Sequence, residues 1–147
     1  MDKETFFART MHTPDDPARA TLRASLRELS KNLLPLHRAL INAARDDYNF
    51  AFGDEVTPNR LMQLMQEDPF FAWLKPVTSV IVDIDEMARV DFEAADYDAI
   101  VARVDRLFGT KVDGDFAEKY VPILQRDVDV AIAHAALRPS LAKLRGD

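Results

Sequence analysis

Three histidines, His12, His37 and His134, are the side chains of this chain best suited to binding a metal. A di-iron site in a helical bundle needs a glutamate three residues before a histidine on each of two helices, and none of the three has one there. A lone histidine can ligate haem or zinc, but a histidine bonded to a backbone carbonyl is the commoner arrangement. We therefore predict neither a metal nor a cofactor.

Acidic side chains crowd the middle of the chain and offer the oxygen ligands that hard cations prefer. On a helix, Asp83 and Glu86 share a face whereas Asp85 lies well round from them, so the oxygens do not converge. The spacing of a calcium-binding loop is also missing. The pattern is typical of a solvated face with helix caps, and binding of an ion or a basic partner is the alternative.

Nucleophilic catalysis finds no support in the sequence. The serines lack the Gly-x-Ser-x-Gly turn that exposes a hydrolase nucleophile. The four glycines form no phosphate-binding loop. We predict no catalytic residues, which favours a non-enzymatic protein without deciding the question.

Basic side chains recur at helical spacing in the first third of the chain and form a ridge beside an apolar stripe. Such a ridge could contact phosphates or an acidic surface, including the acid-rich helix of a second copy; alternatively, it only solvates the helix. The net charge is -6, with nine acids against two bases in residues 61–100, which disfavours nucleic acid and membranes as partners. The ridge comprises Arg19, Arg23, Arg27, Lys31, Arg38 and Arg45.

An aromatic segment, residues 68–76, holds the only tryptophan, Trp73, and the adjacent Phe70 and Phe71. On a short α-helix Phe70, Trp73 and Leu74 share one face, and Phe71 lies on a different one. The segment either closes the core or anchors an interface, where tryptophan is common. The candidate interaction surface comprises Phe70, Phe71, Trp73, Arg19, Arg23 and Arg27.

Apolar residues at every seventh position define the helix that must position the basic ridge. Two such rows run through the first third of the chain, and a third row, Leu34, Ile41 and Tyr48, lies beside them. This spacing produces one buried helical face and fits no strand. The two rows are Leu22, Leu29, Leu36, Ala43 and Phe50, and Leu26, Leu33 and Leu40.

Capping residues mark the starts of the helices. Asp16, Thr57 and Asp68 each precede a proline and can accept first-turn N–H groups, and Asp115 with Glu118 resembles a capping box. We predict helices near 17–52, 58–66, 69–74, 76–90, 96–108 and 115–136, the last burying Val121, Leu124, Val128, Ala135 and either Ala131 or Ile132.

Pro35 falls inside the first predicted helix, whose seven-residue rows keep their phase across it. We therefore predict one long helix kinked at Pro35, with two separate helices as the alternative. Helical bundles can also hold a ligand between their helices, and His37, Tyr48 and Asp85 would be the polar groups of such a pocket.

The length of 147 residues suits a single domain, 1–147, and zero cysteines exclude disulfides. Acids near the amino terminus and the lack of a long apolar run predict a cytoplasmic protein without a membrane segment. We expect residues 1–12 to form an arm, mobile or docked through Phe6 and Phe7, and residues 138–147 to form a short tail.

Three segments lie in the middle half of the chain: His37-Arg38-Ala39-Leu40-Ile41, the aromatic segment, and Ile84-Asp85-Glu86. Together they resemble a family of small, uncharacterised bacterial helical proteins. The resemblance implies a bacterial origin and an all-helical fold, and it carries over no functional residue.

These observations predict an all-α, single-domain helical bundle of four main helices with short connecting helices. The expected function is non-enzymatic, namely self-association, with a homodimer as the default, or binding of a protein partner. The alternative is a small-ligand sensor or an enzyme with its pocket near His37.

Overall fold

A computed structural model of the protein describes residues 16–110 and 114–145, and the predicted arm lies outside them. The described chain is all-α, as predicted, and contains no strand. A 3-10 helix, Pro69–Leu74, connects the second and third α-helices. The α-helices are α1 (Pro17–Phe52), α2 (Pro58–Glu67), α3 (Lys75–Met87), α4 (Ala94–Phe108), α5 (Gly114–Arg126) and α6 (Val128–Leu144).

The long first helix is confirmed, and local signals explain both of its ends. The Asp16 carboxylate accepts the backbone N–H of Arg19 at 2.7 Å, and Pro17 occupies the first turn. Gly53 ends α1 at a φ of 64°, in the left-handed region that glycine adopts readily. The helix continues through Pro35 over 36 residues, so the alternative of two helices is wrong. The predicted kink stays a prediction.

Most of the two central apolar rows of α1 are buried, but two of the predicted core residues are exposed. Leu34 is 47 % exposed because it lies about 100° round the helix from Leu33, at the edge of the face that α1 packs on α3 and α6. Phe50, in the last turn of α1, is 93 % exposed. The buried members are Leu26, Leu29, Leu33, Leu36, Leu40 and Ala43.

The predicted last helix, 115–136, is divided in two at Asp127. Asp127 has an extended backbone, and its carboxylate accepts the Val130 N–H at 3.0 Å, so it separates α5 from α6 and caps α6. Because α6 starts a new helical phase there, Val128 and Ile132 point outwards. The buried residues of α6 are Val130, Ala133, Leu137 and Leu141.

Residues 138–144, which we expected as a tail, belong to α6. The helix passes through Pro139 and ends at Leu144, and Leu141 is 2 % exposed. Burial of such residues on the body of the bundle stabilises helical turns that would otherwise fray.

Helix α6 packs antiparallel on α1. Arg126 at the end of α5 donates to Asp47 at 2.6 Å, and Asn32 donates to Ser140 at 2.6 Å, so residue numbers fall along α1 as they rise along α6. The last turn of α1 therefore runs past the start of α6. Phe50 is exposed there because it lies about 200° round α1 from Tyr48, which packs on Phe70 and Phe71. Within the described ranges, no helix is long and apolar enough to cross a membrane.

Candidate functional site

Arg23 belongs to the core and not to the exposed part of the basic ridge. It is 2 % exposed, and its Nη1 donates to the carbonyl oxygens of Met87, Ala88 and Val90 at 3.3, 2.7 and 2.9 Å. These carbonyls lie at the carboxyl end of α3, where the helix itself supplies no donors and its dipole favours a cation. Arg23 is thus a structural cap that is not exposed to a partner, and the predicted interaction surface stays a prediction.

The other two arginines of the predicted surface differ from each other. Arg19 is half-buried, with its guanidinium carbon 5.1 Å from the centre of the buried Phe92 ring. Arg27 is exposed, as are Lys31 and Arg38 further along α1. The part of the ridge that faces solvent therefore begins at Arg27.

The aromatic segment closes the core through Phe71, the residue that α-helical spacing placed off the shared face. Phe71 is 1 % exposed, and its ring centre lies 5.6 Å from that of Tyr48. Phe70 and Trp73 are only half-buried. Phe70, Trp73 and Leu74 do not share one face, because the segment is a 3-10 helix. In a 3-10 helix residues three apart lie on the same side, so Phe71 and Leu74 point inwards together.

The three groups of the predicted ligand pocket are held by separate partners. His37 Nε2 lies 2.9 Å from Thr78 Oγ1, and burial lowers the pKa of this histidine. Asp85 accepts from Ser30 Oγ at 2.8 Å, and Tyr48 is buried among aromatic rings. Five clefts of 310 to 660 Å³ lie on the described surface, and none of these five is lined by His37, Tyr48 or Asp85.

Metal-binding side chains do not cluster in the described part of the chain. Within it, no group of three or more histidine, cysteine, aspartate or glutamate residues could hold a metal ion. Of the three histidines, His37 is bonded to Thr78, as described above, and His134 Nδ1 lies 2.6 Å from the Tyr120 hydroxyl. His12 lies outside the described residues.

The solvent side of α6 is apolar, although its opposite side is already buried on α1. Val128 is 70 % and Ile132 is 63 % exposed, and the other members are exposed as well. A helix that is apolar on both sides is typically covered on both sides. We call this surface the α6 face; it comprises Val128, Ile132, Ala135, Ala136 and Pro139.

One flank of the α6 face carries opposite charges at its two ends. Asp129, Ala136 and Lys143 are spaced by seven residues and therefore lie along one side of the helix. Asp129 and Lys143 are exposed, and neither forms an ion pair with the described residues. The face thus combines an apolar centre with an acidic start and a basic end.

Comparison of the chain with family models, curated proteins and solved structures finds no match. The resemblance to small bacterial helical proteins stays a prediction. The function must therefore be argued from the residues and their geometry.

Sequence reasoning missed the α6 face because it treated 115–136 as one helix with one buried side. The available signal was the composition of residues 128–144, where apolar residues occupy positions all round a helix. Asp127, three residues before Val130, was the capping signal that would have shifted the phase.

Proposed function

We propose that this protein is a non-enzymatic, self-associating module, a homodimer in which the α6 face of one copy packs on that of the second. The observation that carries the proposal is the exposure of Val128 and Ile132 on a helix whose other side is already in the core. Removing apolar surface from water is the main driving force of association. A second copy supplies a matching apolar surface without requiring any other partner.

The charges on the flank favour an antiparallel, two-fold arrangement of the two α6 helices. A two-fold axis beside Ala136 places the residue seven positions before Ala136 in one copy opposite the residue seven positions after it in the other copy. Asp129 of each copy then faces Lys143 of the other, in the way that flanking charges set the orientation of coiled coils. A parallel arrangement would instead place Asp129 opposite Asp129 and Lys143 opposite Lys143.

Small side chains at the centre of the face support close packing of the helices. Ala135 and Ala136 are both exposed and lie between Ile132 and Pro139. Alanine allows two helix backbones to approach closely, while Ile132 fills the space on either side. The antiparallel arrangement also opposes the two helix dipoles.

Replacement of Ile132 by Glu is expected to raise the dimer dissociation constant by about 100-fold, because two unpaired carboxylates would be buried at the interface. The matched control is Met62→Glu, since Met62 on α2 is 65 % exposed and Ile132 is 63 % exposed. Sedimentation equilibrium over a range of protein concentrations measures both variants beside the unchanged protein.

We expect Met62→Glu to leave the dissociation constant within about twofold, because an exposed charge away from the contact costs little. A monomer at every concentration in the unchanged protein would overturn the proposal. Equal weakening by the two substitutions would place the contact elsewhere and would also contradict it.

The sequence-based alternatives have less structural support. Of the predicted interaction surface, Phe71 and Arg23 are buried, and Phe70, Trp73 and Arg19 are half-buried, which leaves Arg27 as its exposed member. The ligand pocket near His37 stays a prediction. A bacterial origin likewise rests only on the resemblance.

A further inference from the structure

A cleft of 660 Å³ lies between α6 and the carboxyl end of α4. Among the described residues, its ionisable side chains are Arg138, Arg145 and His134, and no described aspartate or glutamate lines it. This basic lining stands out in a chain whose net charge is -6. A concave basic surface raises the local concentration of anions.

His134 is oriented in the cleft by a buried tyrosine. The hydroxyl of Tyr120, which is 1 % exposed, lies 2.6 Å from Nδ1 of His134. When the hydroxyl donates to Nδ1, the ring proton lies on Nε2. Burial raises the pKa of Tyr120, which keeps that hydroxyl protonated.

In this tautomer, the Nε2–H group is the donor that His134 offers to the cleft. Burial, together with the positive charge of Arg138, lowers the pKa of His134 and keeps its ring neutral at neutral pH. A neutral imidazole with a fixed tautomer is a directed hydrogen-bond donor rather than a second diffuse charge.

The two arginines of the cleft have different roles. Arg145 donates to Asp105 at 2.7 Å, which holds its guanidinium and offsets its charge. Gly109 leaves room for this arrangement, because a Cβ there would collide with the carboxylate and the carbonyl oxygen of Asp105. Arg138 is exposed and forms no ion pair within the described ranges, so its charge is available to a ligand.

We propose that this cleft binds the oxyanion group, a carboxylate or a phosphate, of a small molecule, with Arg138 and the Nε2–H of His134 as donors. Guanidinium groups hydrogen-bond both kinds of oxyanion with suitable geometry. Ala142 and Leu141 contribute an apolar wall for the rest of the molecule. The cleft shares Ala135 and Pro139 with the α6 face, whereas Arg138 lies about 200° round the helix from Ala136.

The test is a titration followed by two-dimensional ¹H–¹⁵N NMR at constant ionic strength, with inorganic phosphate, butyrate and the neutral analogue butyramide as probes. We expect saturable shifts at Thr110 and across residues 134–142 with at least one oxyanion and none with butyramide. The phosphate and butyrate arms show which oxyanion the site prefers. Arg138→Gln should weaken binding by at least about tenfold, the effect of losing a charge-assisted hydrogen bond.

The matched control is Arg106→Gln, because Arg106 is also exposed but does not line this cleft. It should leave the affinity within about twofold. Absence of saturable shifts with both oxyanions, equal binding of butyramide, or equal effects of the two substitutions would overturn the proposal. Because the cleft borders the α6 face at Ala135 and Pro139, sedimentation equilibrium measures dimerisation of the same variant separately. Arg138→Gln should leave the dimer dissociation constant within about twofold, so either proposal can fail without the other.

Discussion

Arg23→Ala is expected to lower the free energy of unfolding by about 3 kcal/mol, because it removes a buried cation together with the hydrogen bonds that it donates to three carbonyls. The contacts are those of Nη1 with Met87, Ala88 and Val90. The substitution removes two kinds of contact. The Arg23 side chain connects α1 to the end of α3 through its hydrogen bonds, and it also packs on Phe92. Urea denaturation followed by circular dichroism measures the change at one fixed protein concentration.

Arg27→Ala is the matched control for Arg23→Ala. Arg27 lies one turn further along α1 in the same basic ridge, but it is exposed. Its removal should change the free energy of unfolding by less than about 0.5 kcal/mol. Equal effects of the two substitutions would mean that Arg23 is no more than a solvated residue of the ridge, contrary to the structure.

Leu33→Ala should also lower the free energy of unfolding by about 3 kcal/mol. Leu33 is fully buried at the centre of the α1 stripe, so truncation removes apolar contacts and leaves a cavity. The neighbouring Leu34 is 47 % exposed, and Leu34→Ala should cost less than about 1 kcal/mol. The same urea denaturation measures both.

The comparison of Leu33 with Leu34 tests which side of α1 faces the core. The sequence assigned both residues to apolar rows, whereas the structure buries only one of them. A larger loss for Leu34→Ala than for Leu33→Ala would show that the helix is rotated relative to the arrangement described above.

Local patterns predict α1 because its signals lie within the helix itself. Asp16 and Pro17 specify its start, Gly53 specifies its end, and the leucine rows specify its buried face. The start of the last predicted helix has a similar signal in Asp115 and Glu118, but the break at Asp127 is not predicted. The prediction continues one helical spacing through Asp127, and it therefore places Val128 on the buried side, whereas Val128 is exposed.

Non-local contacts account for most of what the sequence did not predict. Arg23 has the spacing of a surface ridge, yet the carbonyls that it caps lie 64 to 67 residues further along the chain. The spacing of residues within one helix cannot predict such a distant partner. His134 and Tyr120 are 14 residues apart, and they meet only because Asp127 turns the chain between their helices.

The aromatic segment shows a different limit of pattern reading. The sequence correctly predicts a short helix, but α-helical geometry places Phe70, Trp73 and Leu74 on one face and Phe71 on another. The 3-10 geometry, with about three residues per turn, turns Phe71 and Leu74 inwards instead. The choice between two helix types over six residues depends on the surrounding packing and not on the segment alone.

A charge exchange distinguishes the proposed antiparallel α6 homodimer from other arrangements. Asp129→Lys and Lys143→Asp are prepared separately, because each replaces two attractive pairs of the proposed dimer with two repulsive ones. We expect each variant alone to dimerise about tenfold more weakly at low ionic strength. In a mixture, a heterodimer of the two variants regains both attractive pairs.

Native mass spectrometry of that mixture distinguishes the heterodimer from both homodimers by mass. We expect the heterodimer to be well in excess of the binomial proportion. Binomial proportions, with each variant dimerising as well as the unchanged protein, would contradict it.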